Sequence, residues 1–216
     1  MLRNINVIIM LLFSILGSSY LLAVDFNLSD AQKNTIQQLD AKYEGIKSIK
    51  AKFKQVDVQN NVAYGWFILQ KPGLARIEYD DIPIRFIANA NSLVVQDKEA
   101  DQKYFFPSSA SPFGFLLQED FSFFNKSVKI ISYTEEGDNI AMGFVSTKNI
   151  DAGNLTLFLN KETAHIVKWI VVDARGSKTE ITLVEPIFTS ALFASKTIFN
   201  VQKIKDVKYS EIKFKS

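Results

Sequence analysis

The chain contains no cysteine and a single histidine among its 216 residues. Disulfides, cysteine-ligated zinc, iron–sulfur centres, thiol nucleophiles and multi-histidine metal sites are therefore excluded. Glycine and proline are also sparse, at 9 and 5 residues, and the glycines are scattered, so no phosphate-cradling glycine loop is present. An excess of one charge is missing too. With 25 basic against 23 acidic residues the formal charge is +2, which is not the electrostatic footprint of a nucleic-acid-binding protein. The lone imidazole, His165, follows Lys161-Glu162-Thr163-Ala164 at an expected hairpin tip, and the pairs Asp80-Asp81, Glu119-Asp120 and Glu135-Glu136 all fall in expected turns or loops. Solvated turn carboxylates are poor candidates for paired acid–base work. The sequence therefore predicts a protein that is not an enzyme, with no metal and no cofactor.

What is present in quantity is aromatic: 18 Phe, 7 Tyr and 2 Trp in a chain that is 47% hydrophobic and 22% charged. That composition folds, and at this length it makes one domain. Aromatic side chains favour strands, and beyond the needs of a core they line greasy pockets.

The N-terminus has a distinct pattern. Arg3 is followed by the apolar run Val7 to Leu16, then Gly17, Ser18, Ser19 and Ala23, with no charge from Asn4 to Val24. This is the layout of a secretory signal peptide over residues 1–23, and the competing reading is an uncleaved membrane anchor. Residues 24–216 form the single mature domain, exported into a compartment that suits a chain without thiols.

Ser29 followed by Gln32 is a capping-box signature, and Ile36, Leu39 and Tyr43 fall on one narrow stripe, predicting an amphipathic helix of about four turns that stops at Gly45. The period then changes to two. Ile49, Ala51 and Phe53 alternate with Lys50, Lys52 and Lys54, which predicts an apolar strand face opposite a solvated basic one. Ten further strands are expected: 62–70, 74–79, 83–88, 93–97, 103–106, 128–133, 140–146, 155–160, 166–173 and 178–184. Tight turns such as Lys71-Pro72-Gly73 separate them, giving an antiparallel meander of about eleven strands. Ser108 to Phe124 breaks the pattern as an unusually apolar connection.

One stretch is more specific. Phe53-Lys54-Gln55, the run Gly65 to Gln70 closed by Lys71-Pro72-Gly73, and Arg76-Ile77-Glu78-Tyr79 together resemble the outer-membrane lipoprotein carrier family of LolA-like periplasmic chaperones. The order continues with Ser111-Pro112-Phe113 and Gly153-Asn154-Leu155. The chain departs from the family pattern in carrying Lys71 where an arginine is usual before the proline. The resemblance implies a mainly β, α+β fold: an unclosed antiparallel β-barrel with a helical lid over a hydrophobic concave face. It implies that Phe53, Phe67, Leu69, Phe113 and Leu116 contact the cargo, that Lys71 and Arg76 make polar contacts at the cavity rim or with partner proteins, and that Ile36, Leu39 and Tyr43 hold the lid. The implied function is periplasmic: a monomeric chaperone hides the acyl chains of lipoproteins between an inner-membrane ABC transporter complex that loads it and an outer-membrane receptor lipoprotein that unloads it. An exported carrier or sensor of another lipid or amphiphile is the alternative on the same fold.

Overall fold

The computed structural model describes residues 26–89, 92–107, 122–147 and 153–215. Residues 1–23, with the expected signal peptide, lie outside the described residues, as do Ser108 to Phe121 and with them the candidates Phe113 and Leu116.

Helix α1 spans Asp30–Glu44 and begins with the expected capping box: the Ser29 hydroxyl accepts from the Gln32 amide at 3.2 Å and the Ser29 amide donates to the Gln32 side chain at 2.8 Å. Two of the helix's four orphan N–H groups are thereby satisfied. Its buried residues are Ile36, Leu39 and Tyr43, the predicted stripe. Gly45 ends the helix, but with φ −63° it stays right-handed rather than taking the left-handed cap conformation for which glycine is usually selected.

Eleven strands follow: β1 Ser48–Val56, β2 Val62–Gln70, β3 Leu74–Tyr79, β4 Ile84–Asn89, β5 Ser92–Asp97, β6 Gln102–Pro107, β7 Val128–Glu136, β8 Asn139–Ser146, β9 Asn154–Asn160, β10 Ile166–Val172 and β11 Lys178–Thr189. They form one antiparallel sheet in the order β6-β5-β4-β3-β2-β1-β11-β10-β9-β8-β7, so every neighbour is sequential except the pair β1 and β11. β6 and β7 stand at the two ends of that order, and the barrel is unclosed. β11 runs five residues beyond the expected end at Val184, because its far end pairs Phe188 and Thr189 with Ile49 and Ser48.

Period-two alternation sorts the side chains onto two faces. Ile49, Ala51 and Phe53 of β1, Phe67 and Leu69 of β2, Phe86 and Ala88 of β4, Leu157 and Leu159 of β9 and Trp169 of β10 turn inward and pack with α1 in one continuous cluster. Gly65 belongs to this surface by necessity: it pairs with Phe53, and a Cβ there would lie 2.7 Å from the Phe53 ring and 2.1 Å from the Glu78 carbonyl oxygen. The turn after β2 uses Gly73 at φ +73°, a conformation that costs glycine little.

The outer face of β1–β5 has its own cover. Residues 190–215, containing two 3₁₀ turns at Lys196–Phe199 and Tyr209–Glu211, pack Phe193, Phe199 and Ile212 on Trp66 and Ile68, and Val201 on Ile87 and Val94.

Candidate functional site

The concave face is built almost wholly from carbon. Phe53, Phe67 and Leu69, three of the expected contact residues, lie on it, with Phe53 edge-on to Tyr79 at 5.4 Å and Phe67 edge-on to Trp169 at 5.6 Å. Its buried polar pair joins two motif residues: the Tyr79 hydroxyl donates to the Gln55 side-chain oxygen at 2.7 Å. Burial pushes the Tyr79 hydroxyl upward, only partly offset by Gln55, so it stays a neutral donor. Phe53-Lys54-Gln55 and Tyr79 are thus spaced to place an aromatic pair and a hydrogen bond inside the bowl.

Helix α1 closes over this surface, and its attachments among the described residues can be named. Ile36, Leu39 and Tyr43 are its apolar contacts, each 0–1% exposed. At the helix C-terminus the Lys71 ammonium donates to the Tyr43 carbonyl at 2.8 Å and lies 4.0 Å from the centre of the Tyr43 ring. A cation here meets the negative end of the helix dipole and a carbonyl that lacks a full helical partner. Desolvation beneath the helix, with Lys47 adding to it, pulls Lys71 down to about 8, against the smaller pull of Glu44 and Asp40. A third attachment was not foreseen from the sequence. Asp40 accepts from the Phe123 amide at 2.8 Å and from the Ser122 hydroxyl, and Phe123 packs on Tyr43 at 5.9 Å and on Phe144 at 6.0 Å.

Arg76 does not join Lys71 at the rim. It pairs with Ile68, on the opposite face of the sheet from Leu69, and is 1% exposed beneath the C-terminal segment. Its Nε and Nη2 donate to Glu78 Oε1 at 2.9 and 2.5 Å, Nη1 to the Ile198 carbonyl at 2.9 Å and Nη2 to the Lys205 carbonyl at 2.7 Å. Arg85 completes the cluster, with Nε 3.0 Å from Glu78 Oε1 and a bond to Asp206 of the tail. Burial pulls Arg76 downward and Glu78 opposes it. This is a structural network that clamps the tail, so Arg76 is removed from the cargo-contact set. Lys50 is corrected in the same way. It is 8% exposed rather than solvated, and its ammonium donates to the Ile212 carbonyl at 2.7 Å. His165 stacks on Phe188 with ring centres 4.0 Å apart, and burial lowers its pKa, so it sits as a neutral packing group. Among the described residues no cluster of three or more His, Asp or Glu is placed to hold a metal, and no helix is long and apolar enough to cross a membrane.

With this geometry in place, comparison with known proteins is informative. The family model described as outer membrane lipoprotein carrier protein LolA matches residues 44–200, well over half of the chain. No curated protein sequence matches. Among solved structures, a putative outer membrane lipoprotein-sorting protein domain from Vibrio parahaemolyticus is similar at a TM-score of 0.50 and 13% identity, over 78% of this chain and 96% of that one. A DUF1329 family protein from Desulfovibrio piger is similar at a TM-score of 0.50 and 9% identity, over 82% of this chain and all of that one. At such identities these structures establish a shared fold.

Proposed function

The chain belongs to the outer membrane lipoprotein carrier protein LolA family, and from that premise we propose that it is a periplasmic chaperone carrying the acyl chains of lipoproteins from the inner to the outer membrane. The observation that carries this reading is an apolar concave face closed by a helix that, among the described residues, buries Ile36, Leu39 and Tyr43 and is tied by Lys71 and Asp40.

Each acyl CH₂ taken out of water is worth about 0.8 kcal/mol, so a chain of about sixteen carbons does not cross an aqueous compartment unaided at a useful rate. A carrier must offer a comparable apolar surface and still release it. Here the surface is already formed by Phe53, Phe67, Leu69 and Trp169, and α1 occupies it. Swinging the helix away exposes Ile36, Leu39 and Tyr43, and acyl chains entering in its place restore the lost burial. The exchange then runs close to balance in either direction, as transfer requires. On this reading Lys71 is a latch rather than a cargo ligand in the closed state, because its ammonium is engaged by the helix.

The partners this role calls for are acylated lipoproteins, an inner-membrane ABC transporter complex that loads the carrier and an outer-membrane receptor lipoprotein that accepts the cargo. The test is to add purified protein to spheroplasts synthesising a labelled lipoprotein. The expected result is acylated lipoprotein in the soluble fraction, bound to the added protein. If none is released while a proven carrier succeeds in parallel, the reading fails and carriage of another lipid or amphiphile takes its place.

A further inference from the structure

The balanced charge of the chain conceals a strong segregation. Residues 190–215 carry six lysines against Asp206 and Glu211, a net of four positive charges in a chain whose total is +2, so the remainder is net negative. All six are exposed on the surface of the outer cover. Lys54, and Lys52 with its ion-pair partner Glu185 at 3.0 Å, extend this surface along β1, exposed and facing outward. Next to them the sheet presents apolar groups to solvent. Tyr64, 52% exposed, pairs with Lys54, and Val184, 41% exposed, pairs with Lys52. Val62 at 48% and Ile187 at 47% flank them on β2 and β11. Tyr209 of the tail lies among the lysines, with the Lys50 ammonium 4.3 Å and the Lys52 ammonium 6.0 Å from its ring centre.

We propose that this outer face, the tail lysines with Lys52, Lys54, Tyr64 and Val184, docks the protein on an anionic lipid bilayer. The composition favours a bilayer over an acidic protein. Every exposed cation of the patch is a lysine, a compact charge on a flexible stem that suits a fluid array of phosphates, while the forked guanidinium groups suited to fixed carboxylates, Arg76 and Arg85, are buried under it. Exposed tyrosine and valine side chains rest at headgroup level while neighbouring ammonium groups reach the phosphates. The surface is on the opposite side of the sheet from the acyl-binding face, so docking leaves α1 free to move. The inference does not depend on the identity of the cargo.

The experiment is co-sedimentation of the full chain, as exported by cells, with phosphatidylglycerol–phosphatidylcholine vesicles and with pure phosphatidylcholine vesicles. Binding to the anionic vesicles only, weakened by salt, is expected. A lysine near an anionic surface contributes about a five-fold change in partitioning, so Lys208→Gln with Lys213→Gln should weaken binding roughly 25-fold. Lys33→Gln with Lys103→Gln, the same charge change elsewhere, should leave it nearly unchanged. Val184→Ser should weaken it by a smaller factor that salt does not mimic. Equal binding to both vesicle types, equal loss in the two double variants, or binding to an acidic protein domain but to neither vesicle would each overturn the proposal. An unaltered thermal unfolding curve for each variant separates loss of the surface from loss of the fold.

Discussion

The sheet is covered on both sides, and the two covers are built differently. Inside, among the described residues, α1 rests on three apolar side chains, the Lys71 bond to the Tyr43 carbonyl and the Asp40 tie to Ser122 and Phe123. Outside, residues 190–215 insert Phe193, Phe199, Val201 and Ile212, and are held by the amide of Phe193 on Gln70, by Lys50 on Ile212, by Arg76 on two carbonyls and by Arg85 on Asp206. Removing the helix uncovers one narrow apolar stripe and takes the Tyr43 carbonyl from the Lys71 ammonium. Removing the tail takes two carbonyl partners from the buried Arg76 and the Asp206 partner from the buried Arg85. On the proposed carrier reading the inner cover is the one that leaves and the outer cover the one that stays.

The largest expected effect breaks the outer side of that contrast. Arg76→Ala leaves Glu78 without its closest partner and two tail carbonyls unpaired, and should cost about 3–5 kcal/mol in denaturant unfolding. Phe193→Ala, at a position with no solvent exposure, should cost about 3–5 kcal/mol by the same measurement. On the inner side Tyr43→Asp should hold the helix off the bowl, abolishing lipoprotein release from spheroplasts while the strands keep their unfolding transition. Carriage equal to that of the parent chain would refute the lid.

Lys71 sharpens the comparison through pH. Its pKa of about 8 under the helix lies below its ordinary value of 10.5, so the closed state binds fewer protons than the open one between those values. Closure should therefore strengthen as pH rises from about 8 to about 10.5 and weaken as pH falls through 8. A dye on Gln38→Cys, the only thiol in such a chain, should report that change, and Lys71→Met should remove it. The smallest effect is at the helix start: Ser29→Ala should loosen α1 by about 1 kcal/mol in local hydrogen exchange and leave the tail untouched.

The inner cover was legible in the sequence and the outer was not, for physical reasons. Ile36, Leu39 and Tyr43 repeat at the helical period, the capping box marks the helix start, and each strand is bounded by its own turn residues. Phe53, Phe67 and Leu69 follow from alternation once one face is known to be inside. Residues 190–215 follow neither period. They are shaped by what they cover, and their buried residues Phe193, Phe199, Val201 and Ile212 have no regular spacing. Lys50 looks like Lys52 and Lys54 until that segment is laid over it. Arg76 was misplaced although the information was present: it lies three residues from Tyr79, and an odd spacing along a strand puts the two on opposite faces. Asp40 gave no signal, because its partners Ser122 and Phe123 are distant in the chain and follow no motif.

The most direct measurement is hydrogen exchange at individual amides, with and without an acylated peptide in solution. The account predicts that α1 exchanges by local opening well below the cost of global unfolding, and that the acylated peptide lowers its protection further while β2 and residues 193–215 keep theirs. If α1 exchanges only with the whole sheet, and the acylated peptide leaves its protection unchanged, the helix is a fixed part of the core and the carrier account is contradicted.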